Sequence, residues 1–227
     1  MAPTVHDRRR ARAWRFAGLG GLATALVAGT FAMVVPSASA ATLFTADFEN
    51  GSTSGWSKSG GTWSIVTDGS QALDQSSATT DRAREFAGST SWTNYSVQAS
   101  VKATSFGSGG VVALASRVSS ATKMYRLALT GSNQVQLQSM DGSTVSVLAS
   151  RSQTVSTNTW YTLRIDASGG TISGYINGTR VGTVSNSDYG SGQIGLFTAF
   201  AGGRFDNVSV TDSSTTPPPT TAPPTSR

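Results

Sequence analysis

Segment 159–184 contains three short runs of alternating apolar and polar residues, separated by two glycine-containing turns. The alternation from Tyr161 to Ile165 is that of a strand with one buried face. Asn177-Gly178 predicts a type I′ hairpin turn, because both central residues of that turn need a positive φ. Such a turn pairs Ile176 with Thr179, Tyr175 with Arg180, and Gly174 with Val181. The segment therefore predicts an antiparallel sheet that packs on one side.

Short strands and turns continue from Leu43 onward, and no mature segment shows a helical period. The other candidate strands are Leu43–Phe48, Thr62–Thr67, Gln71–Asp74, Ala83–Phe86, Asn94–Ser105, Gly110–Val118, Lys123–Thr130, Gln134–Met140, Thr144–Ser150, Gln193–Phe200 and Arg204–Thr211. About a dozen strands at this spacing are typical of a sandwich or jelly roll. The predicted fold class is all-β, a two-sheet antiparallel β-sandwich.

Residues 1–40 have the composition of an export signal. A basic start precedes an apolar run over residues 16–35, and Ala38-Ser39-Ala40 is a typical cleavage site. We expect a signal helix that is cleaved, by the general secretory or the twin-arginine route, and a secreted, extracellular product. The alternative is a retained membrane anchor; after cleavage no membrane association is expected.

The C-terminal residues 213–227 form a Pro/Thr-rich tract that is expected to be a disordered, extended linker. Such a tract spans roughly 45 Å. It predicts either a chain that continues into a catalytic domain or a spacer to another component. Residues 41–212 then form the single folded domain, and it is expected to be a monomer.

Composition excludes several functions. The first 40 residues hold five of the 17 Lys and Arg and one of the 12 Asp and Glu, so the mature chain carries only +1. This near-neutral charge does not favour nucleic acid as a partner. There is no cysteine, and the only histidine, His6, lies in the signal. A Ser-His-Asp triad and a His-ligated zinc site are therefore excluded, and no catalytic residue is assigned.

Eight short motifs occur in a fixed order: Asp47-Phe48-Glu49, Gly55-Trp56, Gly61-Thr62-Trp63, Tyr125–Leu129, Thr159–Leu163, Tyr175–Gly178, Gly195-Leu196-Phe197 and Arg204–Val210. Together they resemble the concanavalin-like (laminin-G-like) jelly-roll modules of secreted actinobacterial polysaccharide-degrading enzymes, notably those N-terminal to pectate lyases. The resemblance covers residues 43–211. It implies two antiparallel sheets and a glycan-binding accessory role.

Strand alternation predicts a binding face of small residues flanked by polar ones. The outward residues on four strands are Ala113, Ala115 and Arg117; Arg126, Ala128 and Thr130; Gln134, Gln136 and Gln138; and Gln98, Ser100 and Lys102. If these strands are neighbours, guanidinium and amide groups can bind sugar hydroxyls or uronate carboxylates. Tyr189 is the candidate stacking platform for a sugar ring. The alternative is a plain solvated sheet face.

A structural calcium site is a further hypothesis. Asp47 and Glu49 lie on the first strand and Asp206 on the last, and terminal strands of such modules usually pair. Carboxylate oxygens suit Ca²⁺. Alternatively, these residues form only local hydrogen bonds.

These observations favour a secreted carbohydrate-binding module that targets a polysaccharide-degrading enzyme to its polymer, such as pectate. The alternative is a jelly-roll lyase acting on a uronate polymer with Arg117, Arg126 and Tyr125 or Tyr189. Arg82-Ala83-Arg84-Glu85 departs from the R-x-E-x-R strand of alginate lyases, so structural or surface charge is the favoured role of its arginines. A third hypothesis is a cell-surface adhesion or spacer module.

Overall fold

The computed structural model describes residues 40–213, and the regular structure of this part of the chain consists of thirteen β-strands. They are β1 (Thr42–Ala46), β2 (Trp56–Ser59), β3 (Trp63–Asp68), β4 (Ser70–Gln75), β5 (Ala83–Ala87), β6 (Tyr95–Ser120), β7 (Lys123–Thr130), β8 (Gln134–Asp141), β9 (Thr144–Ser152), β10 (Trp160–Ser168), β11 (Thr171–Ile176), β12 (Thr179–Ser185) and β13 (Gln193–Asp212). Apart from Ala40 and Ser213, the predicted signal and linker lie outside the described residues. In residues 40–213 no helix has the length and apolar character needed to span a membrane.

Two long strands, β6 and β13, run through both sheets of the sandwich. The sequence predicted each of them as two separate strands. β13 bends at Phe200, where φ is 46° and the register with β6 shifts. The opposite bend in β6 contains Gly110, where a Cβ would overlap the carbonyl oxygen of Phe200. Glycine therefore permits the close backbone approach with which the paired strands leave one sheet and enter the other.

The first sheet has the order β12-β11-β10-β6-β13. Strands β1 and β4 pair with the other edge of β13, and β3 pairs with β4. Two of the three predicted hairpin pairs are confirmed, Ile176 with Thr179 and Tyr175 with Arg180. The third is wrong, because a register shift pairs Gly174 with Gly182 instead of Val181.

The second sheet has the order β2-β5-β13-β6-β7-β8-β9, and all of its pairs are antiparallel. Strand β2 was not predicted. Leu114, Leu127 and Leu137 of this sheet pack against residues such as Leu163 and Ile165 of the first sheet. Each such buried side chain stabilises the fold by roughly 1.5–3 kcal/mol relative to an exposed one. The predicted all-β, two-sheet jelly-roll sandwich is therefore confirmed.

A second apolar cluster lies outside this core, on the outer face of the second sheet. Its members are Val111, Ala113, Ala115, Val118, Met124, Ala128, Met140 and Phe197, all of them buried. They alternate along their strands with the residues of the main core. Many outward side chains of the second sheet are therefore buried against one another. This differs from the alternative hypothesis of a plain solvated sheet face.

Candidate functional site

A cavity of about 570 Å³ opens on the outer face of the second sheet. We call it the Arg126 cavity. It is lined by Phe106, Gly107, Ser108, Gly109, Gly110, Val111, Arg126, Thr130, Gly131, Ser132, Gln136, Gln138 and Val145. The bend of β6 forms one wall, and side chains of β7 and β8 form the other. Its volume lies within the range of roughly 300–1,000 Å³ that is typical of small-molecule sites.

A chain of three side-chain hydrogen bonds starts in the wall of this cavity and continues along β8. Arg126 Nε donates to Gln138 Oε1 at 2.7 Å, Gln138 Nε2 donates to Gln136 Oε1 at 2.6 Å, and Gln136 Nε2 donates to Gln134 Oε1 at 2.7 Å. We call this chain the glutamine ladder. It forms because alternate residues of β8 share one face and Arg126 is paired with Gln138 across the strands. These bonds fix the orientation of the Gln136 and Gln138 amides, each of which has one further N–H and further lone pairs.

The guanidinium of Arg126 is held against an aromatic ring. Its Cζ lies 4.4 Å from the centre of the Phe197 ring, and its Nη1 lies 3.8 Å from Met140 Sδ. Ala113 and Ala115 occupy the intervening strand and are too small to separate the two groups. Burial lowers the pKa of Arg126 to about 10. Arg126 is therefore a positioned and weakly hydrated cation at the cavity wall.

The structure divides the predicted binding residues among three places. Arg126, Gln136 and Gln138 come together in the Arg126 cavity. Gln98 and Lys102 lie instead on the outer face of the first sheet, because the bend in β6 carries the segment 94–105 into that sheet. The expectation that this segment continues the same polar face is therefore wrong. Lys102 is also engaged, since it is ion-paired with Asp68 and its Nζ lies 4.7 Å from the centre of the Trp160 ring.

The outward placement predicted for Arg117 is also wrong. Arg117 is 1% exposed, and its φ of 47° marks a bulge that interrupts the alternation of β6. Its Nε and Nη2 donate to the carbonyl oxygen of Thr93 at 3.1 and 2.8 Å, and its Nη1 donates to that of Tyr189 at 3.0 Å. Arg117 therefore ties two loops together.

Tyr189 is a packed residue and not an exposed platform. It is 8% exposed, and its hydroxyl donates to the Met140 carbonyl oxygen at 2.7 Å. Its ring lies edge to face with that of Tyr125, whose hydroxyl donates to Asn186. Burial raises the pKa of both tyrosines. Tyr189 also lines a smaller cavity of about 320 Å³, at the end of the strands beside Ser139 and Asp188.

The three acids of the predicted calcium site do not converge on one point. In the described part of the chain, no group of three or more acidic, histidine or cysteine side chains is arranged to hold a metal ion. Glu49 Oε1 accepts the N–H of Gln71 at 2.9 Å, and Asp206 Oδ2 accepts the hydroxyl of Ser70 at 2.8 Å. Asp47 accepts the N–H of Glu49. These contacts fit the alternative of local hydrogen bonds, and calcium binding stays a prediction.

The sequence reasoning missed two residues that shape this face. The position of Phe197 could have been predicted from the alternation along β13. Ile194 and Leu196 face the core, so the aromatic side chain of Phe197 must face outward. Arg84 was given only a structural or surface role. It lies directly across from Phe197 in the β5–β13 pair, and its guanidinium is 5.5 Å from the ring centre. No local signal in the sequence brings β5 beside that part of β13.

The fold and this cavity define a concanavalin-like jelly-roll module that presents a polar cavity on the outer face of one sheet. The chain belongs to the family described as the 3-keto-alpha-glucoside-1,2-lyase-like domain, whose model matches residues 43–211. No curated protein matches the chain.

Solved structures with the same fold include three bacterial examples. Carbohydrate-binding module CBM66 from Bacillus subtilis has a TM-score of 0.62 and 21% identity, covering 70% of this chain and 96% of that one. Domain 4 of AbnA, a GH43 extracellular arabinanase from Geobacillus stearothermophilus solved with arabinotriose, has a TM-score of 0.55 and 16% identity, covering 76% and 93%. A galectin-like protein of unknown function from Bacillus subtilis has a TM-score of 0.54 and 14% identity, covering 76% and 96%. At these identities the likeness establishes the fold.

Proposed function

We propose that residues 41–212 form a carbohydrate-binding module and that a polysaccharide binds in the Arg126 cavity. The observation that carries this proposal is the glutamine ladder. The amides of Gln136 and Gln138 and the guanidinium of Arg126 line an open cavity with fixed donors and acceptors. Sugar hydroxyls both donate and accept hydrogen bonds, so fixed side chains that offer both suit them well.

The structural neighbours support this proposal, because two of them come from carbohydrate-active proteins. One is a carbohydrate-binding module, and another is a domain of an extracellular arabinanase in complex with arabinotriose. Both share the two-sheet architecture with this chain. Because one fold hosts many functions, the binding role of this chain depends on its own cavity.

We further propose that the polymer is acidic, with pectate as the first candidate. Arg126 takes part in no salt bridge within residues 40–213, although its guanidinium is buried. A uronate carboxylate would supply the missing counter-ion, and arginine forms strong charge-assisted hydrogen bonds with carboxylates. A neutral polymer would leave this charge uncompensated.

The biological role that we propose is targeting. The module is secreted, its signal is removed, and its linker connects it to a polysaccharide-degrading enzyme of the kind found with pectate lyases. Holding an enzyme near an insoluble polymer raises the effective concentration of the reacting bonds without new chemistry. Fusing residues 41–212 to a pectate lyase should increase its activity on plant cell walls more than on soluble pectate.

Affinity electrophoresis of residues 41–227 through gels that contain pectate, xylan, cellulose or levan tests the binding function. We expect retardation by pectate. An unretarded protein on all four polymers would contradict the carbohydrate-binding proposal and favour an adhesion or spacer module.

A second candidate function is β-elimination, because the family description names a lyase. The residue set suggested by the sequence is divided, however. Arg126 lies on the outer face of the second sheet, while Arg117 and Tyr125 are buried on its other side. Incubation of residues 41–227 with pectate or with 3-keto-glucosides, followed by detection of unsaturated or cleaved products, tests this candidate. Turnover would replace binding by catalysis as the primary function.

A further inference from the structure

Three arginines gather on the outer face of the second sheet. Arg84 and Arg126 lie 5.5 and 4.4 Å from the centre of the same Phe197 ring. Arg82 lies two residues before Arg84, and its Nη1 donates to the carbonyl oxygen of Gly142, in the turn between β8 and β9, at 3.3 Å. Its charge, with that of Arg84, adds to the lowering of the pKa of Arg126, after the larger effect of burial. Like charges repel each other more strongly where they are partly shielded from water. Without a compensating anion, the close approach of these guanidinium groups is therefore unfavourable.

The chain supplies little of that compensation. Within residues 40–213, Arg82 has one acidic partner, Asp81 at 3.4 Å, and neither Arg84 nor Arg126 takes part in a salt bridge. Arg84 is only 7% exposed, and its buried Nε has no hydrogen-bond partner. Leaving a charged donor unsatisfied costs more than leaving a neutral one unsatisfied. Arg84 Nη1 makes one long hydrogen bond of 3.5 Å to the Arg82 carbonyl oxygen, so it is the Nε–H of Arg84 that lacks an acceptor among the described residues.

The other two arginines also keep free donor capacity. A guanidinium has five N–H donors. Arg126 uses one for Gln138 and makes a weak contact with the sulfur of Met140. Arg82 makes a long hydrogen bond of 3.3 Å to the Gly142 carbonyl oxygen, and its side chain is 27% exposed. A ligand can therefore accept hydrogen bonds from Arg82 and Arg126 without breaking a buried ion pair.

We infer that Arg82, Arg84 and Arg126 form an anion subsite beside the Arg126 cavity, which binds the negatively charged substituent of a sugar residue. That substituent is a carboxylate or a sulfate ester, because planar guanidinium groups pair well with the oxygens of both. Phe197 provides a rigid apolar support for the arginine planes. This inference deepens the proposed function, on which it rests for the sugar.

Side-chain NMR of the ¹⁵N-labelled arginines tests the subsite directly. The probes are trigalacturonic acid, its fully methyl-esterified form and a sulfated galactose oligomer. We expect the Nε–H resonance of Arg84 to shift with an acidic probe and to stay unchanged with the neutral ester. A response to the uronate alone or to the sulfate ester alone identifies the source of the anion. No shift with either acidic probe, or an equal shift with the ester, overturns the inference.

Matched variants separate this inference from the proposed function. Arg84→Gln should weaken trigalacturonate binding about tenfold, while Arg180→Gln, which removes an exposed charge on β12, should not. If the wild type is retarded by pectate and Arg84→Gln binds as tightly, the subsite is wrong and the binding function stands. If no polymer retards the protein but acidic probes shift Arg84, the subsite stands and the proposed polysaccharide function is wrong. If Arg84→Gln does not fold, the NMR titration of the wild type decides.

Discussion

Arg126 on β7 lies directly opposite Gln138 on β8, and its Nε donates to Gln138 Oε1 at 2.7 Å. This bond is the start of the glutamine ladder, and it fixes the guanidinium against Phe197 with its terminal nitrogens still able to donate. Binding of an anion by Arg126 thus depends on a neutral residue at position 138.

Replacing Gln138 by glutamate tests this dependence. In Gln138→Glu the new carboxylate should pair with Arg126 and neutralise it, so trigalacturonate binding should weaken about tenfold while the protein stays folded. Isothermal titration calorimetry measures the change. Gln98→Glu is the control, because it adds the same charge to an exposed position on the first sheet. Equal affinities of the two variants would show that the ladder does not contact the uronate.

Arg117 should matter for stability and not for recognition. Arg117→Ala leaves the carbonyl oxygen of Thr93 and the buried carbonyl oxygen of Tyr189 without the guanidinium donor, so we expect it to lower the free energy of unfolding by about 2–4 kcal/mol. Urea unfolding measures this loss. Arg151→Ala, at an exposed position of β9, should change the free energy of unfolding by less than about 0.5 kcal/mol. If Arg117→Ala is as stable as the wild type but binds glycan more weakly, Arg117 is a binding residue, as the sequence predicted.

Much of the fold could be predicted because it is encoded locally. Alternation and turn residues indicated the strands, and the Asn177-Gly178 turn set the register of the nearest two pairs. The bend that joins the halves of β6 could not be predicted from such local patterns. It depends on a long-range approach between Gly110 and Phe200, which no local pattern reports.

The candidate site was predictable only in part for the same reason. Alternation correctly placed the side chains of Arg126, Gln136 and Gln138 on one face, since those strands are joined by short hairpins. Lys102 was misplaced because β6 crosses between sheets. Arg117 was misplaced because a single residue in a bulge reverses the alternation.

An ion pair on the first sheet predicts how stability depends on pH. Hydrogen bonds from Lys102 and then from Arg204 lower the pKa of Asp68 below its usual 3.8. A carboxylate with a lowered folded-state pKa stabilises the protein above about pH 4, and this contribution is lost as the pH falls through the lowered value. Asp68→Asn should therefore be less stable than the wild type at pH 7, by about 1–3 kcal/mol.

The difference between the two proteins should shrink below about pH 4, because protonated aspartate and asparagine are then both neutral. Thermal unfolding from pH 2 to pH 8 follows it. A difference that is the same at every pH would show that the charge of Asp68 does not stabilise the fold.

Close packing between strands β12 and β9 depends on Gly182. A Cβ at this position would overlap the Cβ of Ala149, so Gly182→Ala should destabilise the sandwich by about 1–3 kcal/mol. Gly170→Ala is the control, because its Cβ would meet no atom within 4 Å. Denaturant midpoints that coincide for the two variants would argue against tight packing at this edge.

Affinity electrophoresis in pectate gels, on the wild type, Arg126→Gln and Arg180→Gln, is the most direct test of a glycan site in the Arg126 cavity. We expect the wild type and Arg180→Gln to be retarded to the same extent. The retardation of both should decrease as the salt concentration rises. Arg126→Gln, which removes the cation that faces the cavity, should lose most of the retardation. Full retardation of Arg126→Gln would contradict binding in this cavity.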